Sequence, residues 1–264
     1  MADDTPQTLP LKGSCHCGAV RFLLHAAPNP VLTCHCSQCR KTSGHLWAAS
    51  SVPRPAFELT GAESLSWYRS SAKAQRGFCR DCGASLFWDH QDESNMFFAP
   101  GALDSAADLP IGAHIFTEDA ADYYRFVGQP PRPDQPPPAR LDCSCLCGDV
   151  AFSLPGPAGE VTACHCSQCR KLSGYFAASF DADPASVTFH QKQTLAEYET
   201  AGGGARGFCR RCGSSLYFRA ANGDFSVEAG AVNGPTGGRL TSHIHTESCG
   251  SYYHIDGDLT DSRG

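Results

Sequence analysis

The apolar residues of this chain fall in short runs that glycine, proline, asparagine and aspartate interrupt. Examples of four to seven residues are Ala19–His25, Ser85–His90, Met96–Ala99 and Val187–His190. Short apolar runs bounded by turn-forming residues are typical of β-strands. Helical periodicity is weak throughout, and only the segments after Cys39 and Cys169 indicate a helical turn. The pattern therefore predicts a mostly β protein.

The same pattern occurs twice along the chain. Four pairs of cysteines lie 130 residues apart: Cys15 and Cys145, Cys34 and Cys164, Cys79 and Cys209, and Cys82 and Cys212. His114 and His243 lie 129 apart, and RGFCRDCGASLFW corresponds to RGFCRRCGSSLYF. An offset this constant, and too long for a solenoid repeat, indicates the duplication of a whole domain.

A proline-rich segment separates the two copies. Residues 128–139 include six prolines, which favour an extended, semi-rigid spacer. We therefore predict a first domain over residues 11–127, a linker over 128–139 and a second domain over 140–258. Because each copy carries a full set of motifs, we expect the copies to fold separately without a shared core.

The composition fits two ordinary globular domains. The 264 residues are enough for two cores. The chain is 41% hydrophobic and 18% charged, with a mean hydropathy of −0.29, which argues against disorder. Its formal charge of −6 and its pI of about 6.0 do not favour a nucleic-acid partner.

The sequence predicts neither export nor a membrane partner. The first residues, MADDTPQTLPLKG, are acidic and polar and lack the apolar core of a signal peptide. No run approaches the roughly 20 apolar residues that span a bilayer. We therefore expect a cytoplasmic protein. In that reducing compartment the 16 cysteines favour metal ligation over disulfides.

Each copy contains three cysteine groups in the same order. They are C-x-C (Cys15 and Cys17; Cys145 and Cys147), C-x-C-x-x-C (Cys34, Cys36 and Cys39; Cys164, Cys166 and Cys169) and C-x-x-C (Cys79 and Cys82; Cys209 and Cys212). Disulfides within C-x-C would close strained rings. A thioredoxin-like redox pair would need a βαβ pattern. Iron–sulfur clusters use other cysteine spacings.

Zinc explains the number of cysteines better. C-x-C with a distant C-x-x-C makes a closed four-thiolate site, typical of structural zinc. Three cysteines then remain in each copy, the number of protein ligands at a zinc with one open position. The triplet alternatively holds a second structural zinc, with His35, His16 or another side chain as its fourth ligand. Leu146 stands in place of His16 in the second copy, which counts against His16 there.

The ordered motifs closely resemble those of a known family. GSCHCGAV, CHCSQCRK-x-SG, RGFC-x-x-CG-x-S and HI-x-T-E are similar to the motifs of glutathione-dependent formaldehyde-activating enzymes and centromere protein V. The resemblance covers nearly all of both copies. It implies two tandem Mss4-like β domains, two zinc ions in each domain and four in the chain, and carbon–sulfur lyase activity.

The resemblance also implies how the cysteines divide between metal sites. The structural ligands would be Cys15, Cys17, Cys79 and Cys82, and Cys145, Cys147, Cys209 and Cys212. The catalytic or labile zinc ions would be bound by Cys34, Cys36 and Cys39, and by Cys164, Cys166 and Cys169. This division is the one that counting the thiols favours.

The open three-thiolate site suggests an enzyme that acts on a small thiol or thiol adduct. The substrate sulfur would be held as a thiolate, which is its nucleophilic form. Arg40 and Lys41, with Arg170 and Lys171, would offset the negative charge or bind a substrate carboxylate, unless they form a solvated turn. Proton transfer or orientation would fall to His114 and Glu118, and to His243 and Glu247; a structural hydrogen bond is the alternative.

Two other functions are compatible with the sequence: a zinc-stabilised binding module without chemistry, and a thiol or metal sensor. Three residues also depart from the repeat. Cys143 is interpreted as a spare ligand or free thiol, Cys249 as a small buried residue, and His245 as a satisfied surface or core group and not a ligand. Because Tyr175 replaces His45 after the triplet, the two pockets are expected to differ or one to be idle.

Overall fold

The computed structural model describes residues 8–105, 107, 109–126, 135–255 and 260–261 of the chain. The first half forms β1 (Leu11–Ser14), β2 (Arg21–Leu24), β3 (Val31–Cys34), α1 (Ser37–Ser43), β4 (Trp47–Pro53), β5 (Phe57–Thr60), β6 (Leu65–Arg69), β7 (Ala74–Cys79), β8 (Ser85–His90), β9 (Asn95–Phe98) and β10 (Ile111–Ile115). Short 3-10 turns connect several of these elements.

The second half repeats this order. It forms β11 (Arg140–Ser144), β12 (Val150–Pro155), β13 (Glu160–Cys164), α2 (Ser167–Ser173), β14 (Ala177–Ala182), β15 (Thr188–Lys192), β16 (Leu195–Glu199), β17 (Ala205–Cys209), β18 (Ser215–Arg219), β19 (Phe225–Glu228), β20 (Arg239–Ile244) and β21 (Thr260–Asp261). The prediction of a mostly β protein with two similar domains is confirmed.

Each half contains one three-stranded sheet and one larger sheet. The orders are β1-β2-β5 and β10-β3-β4-β9-β8-β7-β6, then β11-β12-β15 and β16-β17-β18-β19-β14-β13-β20-β21. Most pairs are antiparallel, but β10 pairs with β3 in parallel and places His114 opposite Thr33. β20 and β13 repeat this pairing. The HI-x-T-E segment therefore lies beside the strand that leads into the cysteine triplet.

The strand predictions hold with small shifts at their ends. Strand β8 has the predicted bounds, Ser85–His90. The helix begins earlier than predicted, at Ser37, because the Cys36 thiol accepts a hydrogen bond from the Cys39 amide and caps the first turn. Gly44, at φ 86°, ends it. In the described ranges, no helix has the length and apolarity that crossing a membrane requires.

The two halves pack together through the helices that follow the triplets. Helix α1 contacts the 3-10 turn Ala229–Ala231, where the Gly230 amide donates to the Gly44 carbonyl at 2.7 Å. A Cβ atom added at Gly230 would lie 2.3 Å from the Arg40 carbonyl oxygen. Gly101 makes the corresponding contact with α2. Only glycine permits so close an approach of two backbones.

Basic side chains of these helices form hydrogen bonds across the contact between the two halves. Lys41 Nζ donates to the carbonyl and hydroxyl oxygens of Ser144, at 2.9 and 3.0 Å, and Lys171 does the same at Ser14. Arg170 donates to two backbone carbonyls of the first half. Lys41 and Lys171 lie two positions after the last cysteine of their own triplet, and side chains two positions apart on a helix point in nearly opposite directions. The expectation that these lysines act at the cysteine triplet of their own copy is therefore wrong.

One buried apolar cluster extends through both halves and includes Phe22 and Phe98 of the first and Phe152 and Val227 of the second. This differs from the expectation that no core is shared. The reason is that each half buries its helix and glycine-containing turn against the other. Residues 128–134 of the predicted linker lie outside the described residues, and 135–139 form neither helix nor strand. The predicted domain boundaries stay predictions.

Candidate metal centres

Fourteen of the sixteen cysteines gather in four groups whose sulfur atoms lie within 4.8 Å of one another. The groups are Cys15, Cys17, Cys79 and Cys82; Cys145, Cys147, Cys209 and Cys212; Cys34, Cys36 and Cys39; and Cys164, Cys166 and Cys169. None of the sixteen cysteines forms a disulfide. The structure thus brings together the same sets that the sequence motifs predict.

Each four-cysteine group joins two turns that are distant in sequence. The Cys15 and Cys17 sulfurs lie 3.4 Å apart, and those of Cys17 and Cys79 lie 3.7 Å apart. The corresponding separations in the second half are 3.5 and 3.6 Å. A tetrahedral metal with bonds of about 2.3 Å holds its sulfur ligands about 3.8 Å apart. The geometry therefore suits one tetrahedral metal ion in each group.

Residues of the opposite half cover these four-cysteine groups. A Cβ atom at Gly83, which follows Cys82 at φ 75°, would lie 2.6 Å from the ring of Phe208. Gly213 has the same relation to Phe78, at 2.5 Å. Glycine is required both for the left-handed turn and for the aromatic contact. Each four-cysteine group therefore lies at the contact between the two halves.

Each three-cysteine group lies where a strand passes into a helix. Cys34 ends β3, Cys36 caps α1 and Cys39 belongs to the first turn of that helix. The sulfurs of Cys34 and Cys36 lie 3.5 Å apart. The hydrogen bond with Cys34, followed by the one with Cys39, lowers the pKa of Cys36 to about 2. The three neighbouring sulfur atoms therefore suit a metal ion as well.

No fourth metal-ligating side chain joins either triplet in the described part of the chain. His35, which the sequence offered as a fourth ligand, is buried with its ring nitrogens turned to other partners. Its Nδ1 atom lies 2.6 Å from the Tyr124 hydroxyl, and its Nε2 atom lies 3.0 Å from His114 Nδ1. The donor set therefore leaves one position of a tetrahedral metal without a protein ligand.

A buried arginine contacts the last cysteine of each triplet. Arg76 donates to the Cys39 sulfur at 3.4 Å, and Arg206 donates to the Cys169 sulfur at 2.9 Å. A guanidinium at this distance stabilises a negatively charged sulfur. These arginines belong to the RGFC motif that also supplies a ligand of the four-cysteine group, so one strand reaches both centres. The recurrence of RGFC is the only sequence signal that marks this arginine, and the motif alone does not indicate its contact with the triplet.

The two predicted histidines lie next to the strand of the triplet. His114 Nδ1 is 2.7 Å from the Thr33 hydroxyl as well as close to His35. His243 Nδ1 is 2.7 Å from His165 Nε2. Burial, followed by the neighbouring His243, lowers the pKa of His165 to about 4. These histidines therefore form hydrogen-bonded pairs with the residue between the first two cysteines, and their catalytic role stays a prediction.

Other predicted residues lie farther from the triplets or face solvent. Glu118 is exposed, and Glu247 lies 3.7 Å from His245 at the surface. Cys143 is buried on β11 outside the four groups, which makes it a free thiol and not a ligand. Cys249 is exposed. The interpretation of Cys249 as a buried residue is wrong because it ends a 3-10 turn at the surface.

This fold and these donor sets define a tandem β protein with four cysteine groups, each of which could hold a metal ion. The family model described as glutathione-dependent formaldehyde-activating enzyme matches residues 10–119 and 140–248. The chain belongs to that family, with one copy of its domain in each half.

Individual proteins and one solved structure are similar to parts of this chain. A protein of Halomonas elongata, provisionally named a glutathione-dependent formaldehyde-activating enzyme, is 36% identical over 124 residues, covering 43% of this chain and 78% of the relative. A Schizosaccharomyces pombe protein named an uncharacterized lyase is 28% identical over 125 residues, covering 45% and 86%. A Rhodobacter sphaeroides crystal structure is 27% identical with a TM-score of 0.31, covering 37% of this chain and 91% of that one.

Proposed function

We propose that this protein is a zinc-dependent enzyme of the carbon–sulfur lyase type, acting on a small thiol or thiol adduct such as that of glutathione and formaldehyde. One observation carries the proposal. Each half combines a four-cysteine group with a three-cysteine group that no fourth ligand completes among the described residues. The first is the donor set of a structural zinc and the second that of an exchangeable one. The names of the family and its relatives support the same class.

The cysteine triplets are the proposed reaction centres. Cys34, Cys36 and Cys39 would hold one zinc ion, and Cys164, Cys166 and Cys169 another. A zinc ion bound there supplies the positive charge that keeps the sulfur of a thiol substrate deprotonated. The four-cysteine groups would hold two further zinc ions that stabilise the fold.

The protein side chains around each triplet would manage charge and orientation. Three thiolates and one divalent ion leave one negative charge, which Arg76 or Arg206 offsets through its contact with the triplet. His114 and His243 would fix the orientation of the histidine inside each triplet. They do so through the hydrogen bonds to His35 and His165.

The reaction that this arrangement serves is the reversible addition of a thiol to an aldehyde. The substrate sulfur forms a bond to the carbonyl carbon of formaldehyde. The carbonyl oxygen takes up the proton that the thiol has lost, and the product is a hydroxymethyl thioether. In the lyase direction the same carbon–sulfur bond breaks and the proton returns to sulfur.

The test is exchange spectroscopy on glutathione and formaldehyde in the presence of the zinc-loaded full chain. We expect the protein to raise the rate of adduct formation and cleavage in proportion to its concentration. The double variant Cys36→Ser and Cys166→Ser should return the rate to that of the uncatalysed reaction. Cys249→Ser, at an exposed cysteine outside the four groups, is the matched control and should keep the full rate.

Two results would favour the other functions. Four tightly bound zinc ions without any rate enhancement would indicate a binding module. Loss of the triplet zinc ions on mild oxidation, again without turnover, would indicate a thiol or metal sensor. Either result would overturn the enzyme proposal.

A further inference from the structure

The two cysteine triplets have different surroundings despite their identical motifs. In the β3–β4 pairing Cys34 lies opposite Trp47, and in the β13–β14 pairing Cys164 lies opposite Ala177. Side chains at directly opposite positions of an antiparallel pair share one face of the sheet. A large indole therefore stands beside the first triplet where the second has only a methyl group.

A second substitution accompanies the first. Glu228 ends β19 two residues before Gly230, and Ala99 holds the equivalent position two residues before Gly101. Glu228 is 2% exposed and Ala99 is fully buried. At these two positions beside the triplet, the first half thus has Trp47 and Ala99, whereas the second half has Ala177 and Glu228. The exchange replaces an apolar, hydrogen-donating group by a carboxylate.

These changes alter the access to each triplet. Cys34 is 8% exposed, and it packs in one buried cluster with Trp47 and Ala99. Its counterpart Cys164 is half-buried. Removing the indole therefore leaves the first cysteine of the second triplet more open to a ligand.

The charge beside the two triplets differs as well. In the described part of the chain, Arg76 forms no salt bridge with an acidic residue, and its guanidinium donates a hydrogen bond to the Cys39 sulfur. Arg206 is shared, because it donates to Cys169 and also lies 3.5 Å from Glu228 Oε1. Burial raises the pKa of Glu228 to about 7, against the opposing effect of Arg206. The second centre therefore has a carboxyl group paired with its arginine, which the first centre lacks.

Each of the two exchanged side chains also keeps one buried polar atom without a hydrogen-bond partner among the described residues. These atoms are Trp47 Nε1, a donor, and Glu228 Oε2, an acceptor. The two atoms occupy equivalent places, because each lies near the glycine that ends the helix of the other half. A Cβ atom at Gly174 would lie 3.2 Å from Trp47 Nε1, and one at Gly44 would lie 2.9 Å from Glu228 Oε2. A donor favours an anionic ligand group, and a carboxylate favours a cationic one.

We propose that the two triplet centres accept different thiols. The first takes a thiol that carries a carboxylate, and the second takes a thiol that carries an ammonium group, with Glu228 as the specificity-determining residue. This inference rests on the proposed function, since it requires that both triplets bind a metal with an open position. It assigns the two copies distinct substrates within one reaction type.

The test uses the full chain loaded with Co²⁺, whose absorption bands report a change of ligand without any turnover. The probes are 3-mercaptopropionate and cysteamine, two thiols of similar size and opposite charge, titrated at pH 8. Cys166→Ser leaves only the first triplet complete, and Cys36→Ser leaves only the second. We expect the preference for cysteamine over 3-mercaptopropionate to be at least about tenfold greater at the second centre than at the first.

Glu228→Gln, which keeps the shape and removes the charge, provides the decisive variant in the otherwise intact chain. It should lower the preference for cysteamine by about tenfold without changing the far-ultraviolet circular dichroism. Equal preferences at the two centres, or an unchanged preference in Glu228→Gln, would overturn the inference and leave the enzyme proposal standing. Cobalt spectra that respond to neither thiol would overturn both, because the open position itself would then be absent.

Discussion

The four-cysteine and three-cysteine groups of each half use the same ligand atom in two different settings. In the four-cysteine groups, two distant turns bring together a full tetrahedral donor set. An aromatic residue of the other half packs over each of these groups. In the three-cysteine groups, one local segment supplies every ligand, and an arginine is the added neighbour. We propose that the number of ligands and the sequence distance between them, and not sulfur chemistry, separate a structural centre from a reactive one.

The two kinds of cysteine group should differ in how much they stabilise the fold. A metal that joins turns 62 residues apart, as for Cys17 and Cys79, closes a long loop and stabilises the folded chain directly. A metal held within six consecutive residues, Cys34 to Cys39, closes only a short segment that the helix cap already orders. Loss of the first kind of centre should unfold the protein, and loss of the second should not.

The largest effect is expected from Cys79→Ser or Cys209→Ser. Structural zinc contributes about 10–16 kcal/mol of apparent binding free energy to small metal domains, and total protein stability is only about 5–15 kcal/mol. Removing one of four thiolates should therefore abolish the cooperative melting of the chain. Thermal melting by circular dichroism, with Cys249→Ser as the control, measures this. A melt like that of the parent chain would exclude a structural role for the group.

The next largest effect should follow from separating the halves. Sequence analysis predicts that they fold alone, but the shared apolar cluster and the paired glycine contacts indicate mutual dependence. We expect residues 1–130 and 138–264, expressed apart, to be aggregated or self-associated and to regain zinc and solubility when mixed. Size-exclusion chromatography with metal analysis is the measurement. Two monomeric halves that each hold their zinc would restore the sequence-based prediction.

A smaller loss of stability is expected from Gly230→Ala. The added methyl would lie 2.3 Å from the Arg40 carbonyl oxygen and push α1 away from the second half. Overpacking of this kind costs about 1–3 kcal/mol. Gly202→Ala is the matched control, because a Cβ atom there meets nothing within 4 Å. Denaturant melts of the two variants should differ by this amount, and equal midpoints would argue against a rigid contact between the helix and the turn.

The smallest effect on stability is expected from Cys36→Ser. Serine is itself a favourable helix cap, so α1 should persist while one three-cysteine centre loses a ligand. The variant should bind about one zinc ion fewer per chain. Its free energy of unfolding should stay within about 1 kcal/mol of the parent's, because serine keeps the helix cap. Metal analysis beside circular dichroism tests this. Collapse of the β signal would show that the triplet belongs to the scaffold.

Much of the fold and of the donor sets follows from the sequence. Strand β8 is predicted at its observed bounds because turn residues flank its apolar run closely. The cysteine groups are predictable because the C-x-C and C-x-x-C spacings limit which thiols can share a tetrahedral metal. Duplication strengthens both predictions, since each motif is seen twice.

Contacts between distant segments could not be predicted in this way. Lys41 looks like a neighbour of the triplet in sequence, but the helix turns it toward Ser144 of the other half. Glu228 belongs to none of the repeated motifs, and it reaches Arg206, 22 residues earlier, only because β17 and β19 both pair with β18. The shared core was missed for the same reason, because surface complementarity between two similar domains leaves no periodic signal in the sequence.

Timed transfer of zinc from the fully loaded chain to a chromophoric chelator tests the central claim most directly. The account predicts two phases of equal size: two ions leave rapidly from the three-cysteine groups and two leave slowly from the four-cysteine groups. Added glutathione should alter the rapid phase alone. A single phase for all zinc ions, insensitive to the thiol, would contradict the division into reactive and structural centres.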